Sequence, residues 1–335
     1  MRSVRLARAL VLLLGTTALM GTSAVATAAP PTPAPTSTEA GPGLRVSSAA
    51  VAKALDCSSD LTSATRDPVL LTPAFSTDAQ SYSWNYLRQL PAVGVPTCSL
   101  NLPDHGFGDL QISAEYVVAA VRRISRLSHR KVALIGHQHG ALNNRWALTF
   151  WPDLADLVSD YISMATPQIG GAEPYWACSL TACPAAVRQI SVGSAYLNAL
   201  NGRPLPKGPG YTSIGSQFDW LMQPQPLANT LVGGTSITLQ NICPFWPIEH
   251  FTILGDNLTY ELVIDALTHT GAAKPNRLAP GVCTRRWMMP GVLTIPSVAG
   301  EVLPSAVGAA AEALRRAPAT ATLREPRLRA YALPE

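Results

Sequence analysis

Charged residues are scarce in this sequence. Asp, Glu, Lys and Arg make up 14% of its 335 residues, whereas hydrophobic residues make up 47%. A disordered chain needs the opposite balance, so this composition excludes one and suits a protein with a sizeable buried core. A chain of this length forms one large domain or two small ones.

Long apolar runs are also rare, and the clearest one stands at the beginning of the chain. Arg2, Arg5 and Arg8 precede an apolar stretch over residues 9–20, and small residues follow it at 24–28. This stretch is too short to span a bilayer, so the pattern predicts a secretory signal peptide over residues 1–29 rather than a membrane anchor. We therefore expect a secreted or cell-envelope protein without a stable membrane anchor after cleavage.

The exported chain lacks a basic cluster. Loss of residues 1–29 removes three arginines and no acidic residue, so the formal charge falls from +4 to +1, with 22 basic against 21 acidic residues. This near-neutral balance gives no reason to expect a nucleic acid partner. Residues 30–50 are rich in Pro, Ala and Thr without apolar periodicity, which predicts a leader before a domain over residues 51–335.

No Cys-x-x-Cys pair occurs, so zinc or thioredoxin-type chemistry has little support. Six cysteines remain in the exported chain, and an even number there predicts three disulfides. Six cysteines allow fifteen pairings, which the spacing alone does not resolve. The six are Cys57, Cys98, Cys178, Cys183, Cys243 and Cys283.

Apolar segments of strand length alternate with segments of helical periodicity from residue 67 onward. This alternation predicts the α/β class, with a mostly parallel sheet flanked by helices. Residues 169–205 do not follow this alternation of strands and helices. They are predicted to form either a small cap-like insertion over a pocket or a surface segment without a function. The predicted strands are 68–72, 97–102, 131–135, 158–164, 212–215 and 237–242, and the predicted helices are 112–127, 141–150, 185–200 and 306–316.

The segment Gly136-His137-Gln138-His139-Gly140 follows an apolar strand and precedes a helix. This is the context of the nucleophile elbow, Gly-x-Ser-x-Gly, in which the central residue sits on a strained turn and the glycines let strand and helix approach closely. Here Gln138 occupies the position of the nucleophilic serine. A glutamine amide has a delocalised nitrogen lone pair and a poorly nucleophilic oxygen, so it does not replace a serine activated by histidine.

Two downstream residues stand where the remaining members of a catalytic triad belong. In this fold the acid and then the histidine follow the nucleophile along the chain. Asp219 ends a segment after one predicted strand, and His250 lies in a loop after the next. We interpret Asp219 and His250 as the triad acid and base on this order and position.

Several further stretches resemble lipases of the Candida antarctica lipase B type and their bacterial secreted relatives, over about residues 55–332. The resemblance implies an ester hydrolase of the α/β-hydrolase superfamily with Asp219 and His250 as triad members. It also implies the disulfides Cys57–Cys98 and Cys243–Cys283, which leaves Cys178–Cys183 as the remaining pair. The matching stretches are 68–73, 113–118, 145–152, 216–219 with 223–224, and 247–250.

Two positions depart from the pattern of these lipases. Gln138 replaces the serine. Phe75 stands in the loop over residues 73–77, the counterpart of the oxyanion loop, where the relatives carry a side-chain donor. Phe75 and His139 are still expected to offer backbone N–H groups to the oxyanion. Loss of one such donor typically costs two to three orders of magnitude in rate, and loss of a nucleophile about six.

The leading hypothesis is therefore a catalytically inactive or severely impaired lipase-like protein that binds an acyl ester, a lipid or another hydrophobic small molecule, without a cofactor. His137 is a candidate substrate-binding residue. A second hypothesis is an active esterase in which Ser76 or Ser216, rather than residue 138, is the nucleophile. A cell-envelope interaction protein that uses the fold as a scaffold is a third. Convergence of His137, His139, His250 and Asp219 on a metal ion is disfavoured, since residues 137 and 139 straddle a sharp turn.

Overall fold

The computed structural model of the protein describes residues 40–58, 60–172, 178–292 and 303–333. The predicted signal peptide and the first part of the predicted leader lie outside these ranges. Residues 173–177 of the predicted cap-like insertion also lie outside them.

A seven-stranded sheet forms the centre of the fold. The strand order is β1-β3-β2-β4-β5-β7-β8, in which β1 pairs antiparallel with β3 and the other neighbours pair in parallel. A separate antiparallel pair joins β6 to β9. The α/β fold class and the mostly parallel sheet are thus confirmed. The strands are β1 Leu55–Cys57, β2 Val69–Thr72, β3 Thr97–Leu100, β4 Val132–His137, β5 Val158–Met164, β6 Cys183–Pro184, β7 Gly210–Gly215, β8 Thr235–Thr238 and β9 Ala321–Thr322.

Helices cover both faces of this sheet. The longest, α3, begins at the N-cap Asp109, whose carboxylate accepts from the Gln111 N–H. Side-chain capping of this kind satisfies a backbone donor that has no partner inside the helix. The helices are α1 Ser48–Ala54, α2 Tyr86–Ala92, α3 Leu110–Ser128, α4 His139–Phe150, α5 Leu154–Leu157, α6 Ala185–Gln189, α7 Ala195–Asn201, α8 Asn257–Thr268, α9 Val282–Arg285 and α10 Leu303–Ala319.

The hydrophobic core divides into two layers, one on each face of the sheet. Leu70 packs in the layer with α3 and α4, whereas its neighbour Leu71 packs in the layer with α8. The same alternation separates Leu134 from Ile135 in β4. Successive side chains of a strand point to opposite faces, so a strand buried on both sides is apolar throughout.

Two predicted elements have the wrong boundaries. The predicted strand over 237–242 ends at Thr238, and a 3₁₀ turn follows at Leu239–Asn241. The predicted helix over 185–200 is two helices, α6 and α7. Gly193 between them has a φ of 76°, which is outside the helical range, and Ser194 caps the start of α7. The apolar residues continue through both helices, so the sequence pattern gave no sign of the break between them. That break depends on the backbone conformation at Gly193.

The described parts of the 169–205 segment pack beside the sheet. Helix α6 lies against α3, and α7 lies against α4. The carboxamide of Gln189 in α6 accepts from the Leu110 N–H at the start of α3, at 2.8 Å. Strand β6 pairs with β9 near the end of the chain. These contacts fasten the segment to the helical layer, and a function as a cap stays a prediction.

Three disulfides join the pairs that the resemblance implied or left as the remainder: Cys57–Cys98, Cys178–Cys183 and Cys243–Cys283. The first links neighbouring strands β1 and β3, and the third links the segment after β8 to α9. Within the described ranges, we find no helix with the length and apolar character needed to cross a bilayer.

Candidate active site

The turn between β4 and α4 has the backbone geometry of a nucleophile elbow. Gln138 adopts φ 52° and ψ −126°, which is a strained conformation for a residue with a side chain. Its N–H donates to the carbonyl oxygen of Met164 in β5 at 2.9 Å, and its own carbonyl accepts from the Ala141 N–H. The strain is thus held by hydrogen bonds on both sides of the turn.

The two flanking glycines are required by close backbone contacts. A Cβ added to Gly136 would lie less than 3.0 Å from the backbone of Ala141, and one added to Gly140 would meet the carbonyl oxygens of Thr72 and Pro73 within the same distance. Strand, turn and helix therefore approach closely only because neither position carries a side chain. The sequence predicted this arrangement from the spacing of the glycines.

The Gln138 side chain is buried at the centre of this turn. The residue is 1% exposed, and its Nε2 has no hydrogen-bond partner among the described residues. A buried amide without a partner is costly, by about 1–3 kcal/mol for the unsatisfied group. The position thus holds an unused donor instead of a nucleophilic hydroxyl.

Asp219 and His250 form a buried pair. The Oδ2 of Asp219 and the Nδ1 of His250 are 2.8 Å apart, and both residues are 1% exposed. The Oδ1 of Asp219 accepts from the backbone N–H groups of Leu221 and Met222, each at 3.0 Å. A carboxylate fixed in this way holds the imidazole with its second nitrogen, Nε2, pointing away from the acid. That Nε2 is buried and has no described partner.

His137 lies against the other side of His250. Its Nε2 donates to the backbone carbonyl oxygen of His250 at 2.9 Å, and the two ring centroids are 5.0 Å apart. Burial lowers the pKa of His137 well below its ordinary value, and the neighbouring His250 lowers it further. His137 is therefore a neutral residue that positions the His250 loop. Its contact with substrate stays a prediction.

The oxyanion loop shows a contact that sequence reasoning missed. The backbone N–H of Phe75 donates to the Nδ1 of His139 at 3.0 Å, and the two rings stack with centroids 5.4 Å apart. Burial lowers the pKa of His139 to about 3, so its ring is neutral and carries its proton on Nε2. The Phe75 N–H is therefore engaged, which corrects the expectation that it is free for an oxyanion. A histidine beside the elbow gives no sequence signal for this contact, since the direction of its ring depends on the distant Phe75 loop.

The two alternative nucleophile candidates, Ser216 and Ser76, have different surroundings. The hydroxyl of Ser216 donates to the carbonyl oxygen of Ile248 and accepts from the Phe218 N–H and the Gln240 carboxamide. This hydroxyl proton is therefore committed to a structural hydrogen bond. Ser76 has a φ of 61°, and its N–H donates to the carbonyl oxygen of His105 at 2.8 Å.

The structure brings most of the predicted site residues together. Gln138, His137 and His139 share the elbow, Asp219 and His250 form the pair beside it, and Phe75 lies against His139. Within the described residues, no group of three or more His, Cys, Asp or Glu side chains is arranged to hold a metal ion. The ring of His137 contacts His250, whereas the ring of His139 contacts Phe75. The two rings therefore lie on opposite sides of the elbow.

The chain is similar in sequence to a known lipase. The chain is 29% identical to lipase B from Pseudozyma antarctica over 227 residues, which are 64% of this chain. The matched region spans 66% of the length of that relative, just under two thirds. No protein-family model matches the chain.

Solved structures agree with this comparison. Aspergillus fumigatus lipase B superimposes with a TM-score of 0.78 and 27% identity, over 88% of this chain and 74% of that protein. The mature form of Bacillus licheniformis lipase BlEst2 superimposes with a TM-score of 0.53 and 16% identity, over 64% of this chain and 98% of that protein, a similarity of fold alone. The chain is thus similar in sequence and structure to lipase B proteins and has the α/β-hydrolase fold.

Proposed function

We propose that this protein is a lipase-like protein that has lost ester hydrolysis and keeps the binding of an acyl-bearing ligand. The observation that carries the proposal is the buried Gln138 in the strained elbow conformation. Acyl transfer in this fold needs a hydroxyl at that point for the histidine to activate, and an amide does not supply one.

The engaged oxyanion loop supports the same conclusion. A tetrahedral intermediate needs two donors aimed at its oxygen, and the Phe75 N–H already donates to His139. Two independent requirements of the reaction are therefore unmet. The buried Asp219–His250 pair, by contrast, is intact. This pair gives the site a charged or polar anchor around which a ligand binds.

Hydrolysis of p-nitrophenyl butyrate by the purified protein tests the loss of activity. We expect the parent protein and its His250→Ala variant to show indistinguishable rates, both equal to the rate without protein. A fluorophosphonate probe, which labels activated serines, is expected to leave the parent unlabelled. A parent rate clearly above that of His250→Ala would overturn the proposal and require another nucleophile.

We further propose that the protein is exported. The apolar start of the chain with its three arginines supports this, as do the three disulfides and the similarity to lipase B of Pseudozyma antarctica. N-terminal sequencing of protein recovered from the culture medium or cell envelope is expected to begin near residue 29. Recovery from the cytoplasm with Met1 intact would contradict export.

A further inference from the structure

One exposed aromatic residue on the loop after β8 stands in a strained backbone conformation. Phe245 is 90% exposed and has a φ of 65°, in the left-handed region that a bulky side chain rarely adopts. A single exposed apolar residue is ordinary, but backbone strain at such a residue costs stability and no packing compensates for it. The fold thus displays Phe245 to solvent at a cost in stability.

The residue next to Phe245 fixes this loop. Trp246 is 4% exposed, and its indole Nε1 donates to the Oδ1 of Asp256 at 2.7 Å. The carbonyl oxygen of Trp246 accepts from the Gln240 carboxamide, also at 2.7 Å, and its N–H donates to the carbonyl oxygen of Cys243. Phe245 therefore extends from a loop that is held by hydrogen bonds on several sides.

A second exposed aromatic residue lies beside this loop. Trp287 is 57% exposed, and its ring centroid is 5.7 Å from that of Trp246. The carbonyl oxygen of Trp287 accepts from the Asn257 N–H at 2.9 Å, and the disulfide Cys243–Cys283 joins the same two segments. Because the segments are joined at two points, the two exposed aromatic residues belong to one part of the surface.

Two arginines precede Trp287 in the chain. Arg285 and Arg286 are both exposed, and neither pairs with a carboxylate in the described part of the chain. The guanidinium of Arg285 donates to the carbonyl oxygen of Pro280 at 3.2 Å, which leaves its charge uncompensated. Both positive charges are therefore available to an anionic partner.

Acidic residues are scarce in the two segments. Over residues 243–251 and 278–292 the one acidic residue is Glu249, whose carboxylate accepts from the Trp220 indole and from backbone N–H groups. The surface is thus both apolar and positively charged. We name it the aromatic–basic patch, formed by Phe245, Arg285, Arg286 and Trp287.

We propose that the aromatic–basic patch binds the surface of an anionic phospholipid membrane. Aromatic side chains lie favourably at the boundary between headgroups and acyl chains, and an arginine reaches the lipid phosphates with its charged end. The inference goes beyond the proposed function, because the patch contains none of the residues assigned to the candidate active site and does not depend on the chemistry at residue 138.

The size of the patch favours a lipid surface over a protein partner. A stable protein–protein interface buries about 800 Å² on each partner, whereas an aromatic side chain buries about 150–250 Å². Two such side chains are too few for a protein interface of ordinary size. Shallow insertion into a bilayer needs only a small apolar area, since attraction to anionic headgroups adds to it.

Co-sedimentation of the purified protein with phospholipid vesicles tests the proposal. We expect binding to phosphatidylglycerol vesicles that is about tenfold or more tighter than binding to phosphatidylcholine vesicles, since the two arginines attract only the former. Binding should weaken as the salt concentration rises from about 0.1 M to about 1 M, because the screening length falls from about 10 Å to about 3 Å. Absence of binding, or equal binding to both kinds of vesicle, would overturn the proposal.

Phe245→Asn separates membrane binding from stability. Asparagine tolerates the left-handed conformation better than phenylalanine, so the free energy of unfolding in urea should stay the same or rise. The affinity for phosphatidylglycerol vesicles should fall about tenfold, because an inserted aromatic side chain is lost. Leu323→Asn, at a position that is 80% exposed after β9, is the matched control and should keep the parent affinity. Parent affinity in Phe245→Asn would refute the role of this residue.

A pair of double variants tests the charges. Arg285→Gln/Arg286→Gln should lower the affinity for phosphatidylglycerol vesicles by about fivefold for each arginine, or about twenty-fivefold together. Arg324→Gln/Arg327→Gln removes the same charge from exposed positions near the end of the chain and should leave the affinity unchanged. Residues 1–29 are identical in all these proteins, so their own contribution cancels in each comparison. Equal losses in the two double variants would overturn the assignment of the patch.

Self-association is the competing use of an exposed apolar patch. Sedimentation velocity without vesicles measures the oligomeric state of the parent and of Phe245→Asn. We expect both proteins to be monomers. A parent dimer that Phe245→Asn converts to a monomer, without vesicle binding, would overturn the proposal and make the patch an interface between copies of this chain.

Discussion

The backbone N–H of Phe75 donates to the Nδ1 of His139 at 3.0 Å, between residues 64 positions apart. The neutral imidazole of His139 therefore occupies a donor that the oxyanion of a reaction intermediate would need. Under the proposed function, Gln138 at the nucleophile position is thus accompanied by a second obstacle to catalysis in the adjoining residue. Restoring the nucleophile alone does not remove that second obstacle.

Under the proposed loss of activity, we expect efficient ester hydrolysis to return only with two substitutions. Gln138→Ser supplies a hydroxyl beside the Asp219–His250 pair, and His139→Leu frees the Phe75 N–H by removing its acceptor. We expect the double variant to exceed Gln138→Ser by about a hundredfold in kcat/KM, since one oxyanion donor typically contributes two to three orders of magnitude. The rate of p-nitrophenyl butyrate hydrolysis measures the difference. His139→Leu alone is the control and should remain inactive, and equal rates for the single and double Ser variants would contradict the argument.

Alanine at Gly140 should destabilise the protein strongly. Its Cβ would press on the carbonyl oxygens of Thr72 and Pro73, which belong to backbone that does not yield easily. We expect a loss of about 2–3 kcal/mol or more in the free energy of unfolding, measured by urea denaturation. Gly308→Ala is the matched control, since a Cβ there meets nothing within 4 Å and the residue lies in helix α10. Its stability should stay the same or rise by up to about 1 kcal/mol, and a similar loss in both variants would refute the close-contact explanation.

Asp160 makes stability depend on pH at the opposite end of the sheet. Burial, opposed by a hydrogen bond from Ser159 and assisted by the nearby Asp67, raises the pKa of its carboxyl group to about 7. A raised pKa means that the folded protein favours the neutral carboxyl, so the contribution to stability is complete near pH 4 and is lost as the pH rises through 7. The upper limit of this loss is about 4 kcal/mol.

Asp160→Asn should therefore flatten the decline in stability between pH 5 and pH 8. Chemical denaturation at a series of pH values measures the slope. Asp56→Asn, at an exposed position of β1, serves as the control and should leave the slope unchanged. A parent protein whose stability rises over this range, or an Asn variant with the parent slope, would contradict the role assigned to Asp160.

The three disulfides should contribute unequally. Cys243–Cys283 closes 40 residues of chain and Cys178–Cys183 closes five. The entropy of loop closure predicts about 4 kcal/mol for the former and about 2 kcal/mol for the latter. We expect the Cys243→Ala/Cys283→Ala variant to unfold at a clearly lower urea concentration than Cys178→Ala/Cys183→Ala. The reverse order would show that loop length does not govern these contributions.

Local pattern made much of the fold predictable. Buried strands such as β2 and β4 are continuous apolar runs, and α3 repeats apolar residues at helical spacing, so their positions followed from the sequence. The elbow followed from Gly136 and Gly140, because close approach of strand and helix excludes a side chain at both positions. The boundary errors arose where a 3₁₀ turn follows β8 and where Gly193, with its positive φ, lies between α6 and α7.

The sequence by itself determined the class of the fold, the absence of a serine at residue 138 and the candidates Asp219 and His250, since each depends on residue type and order along the chain. The tertiary structure decided which atoms meet. The hydrogen bond from Phe75 to His139 and the contact of His137 with His250 each join segments far apart in sequence. The missing partner of the Gln138 amide likewise depends on how those segments surround it. A hydrogen bond depends on distances of about 3 Å and on direction, and these are set by the packing of the sheet and its helices rather than by any local pattern.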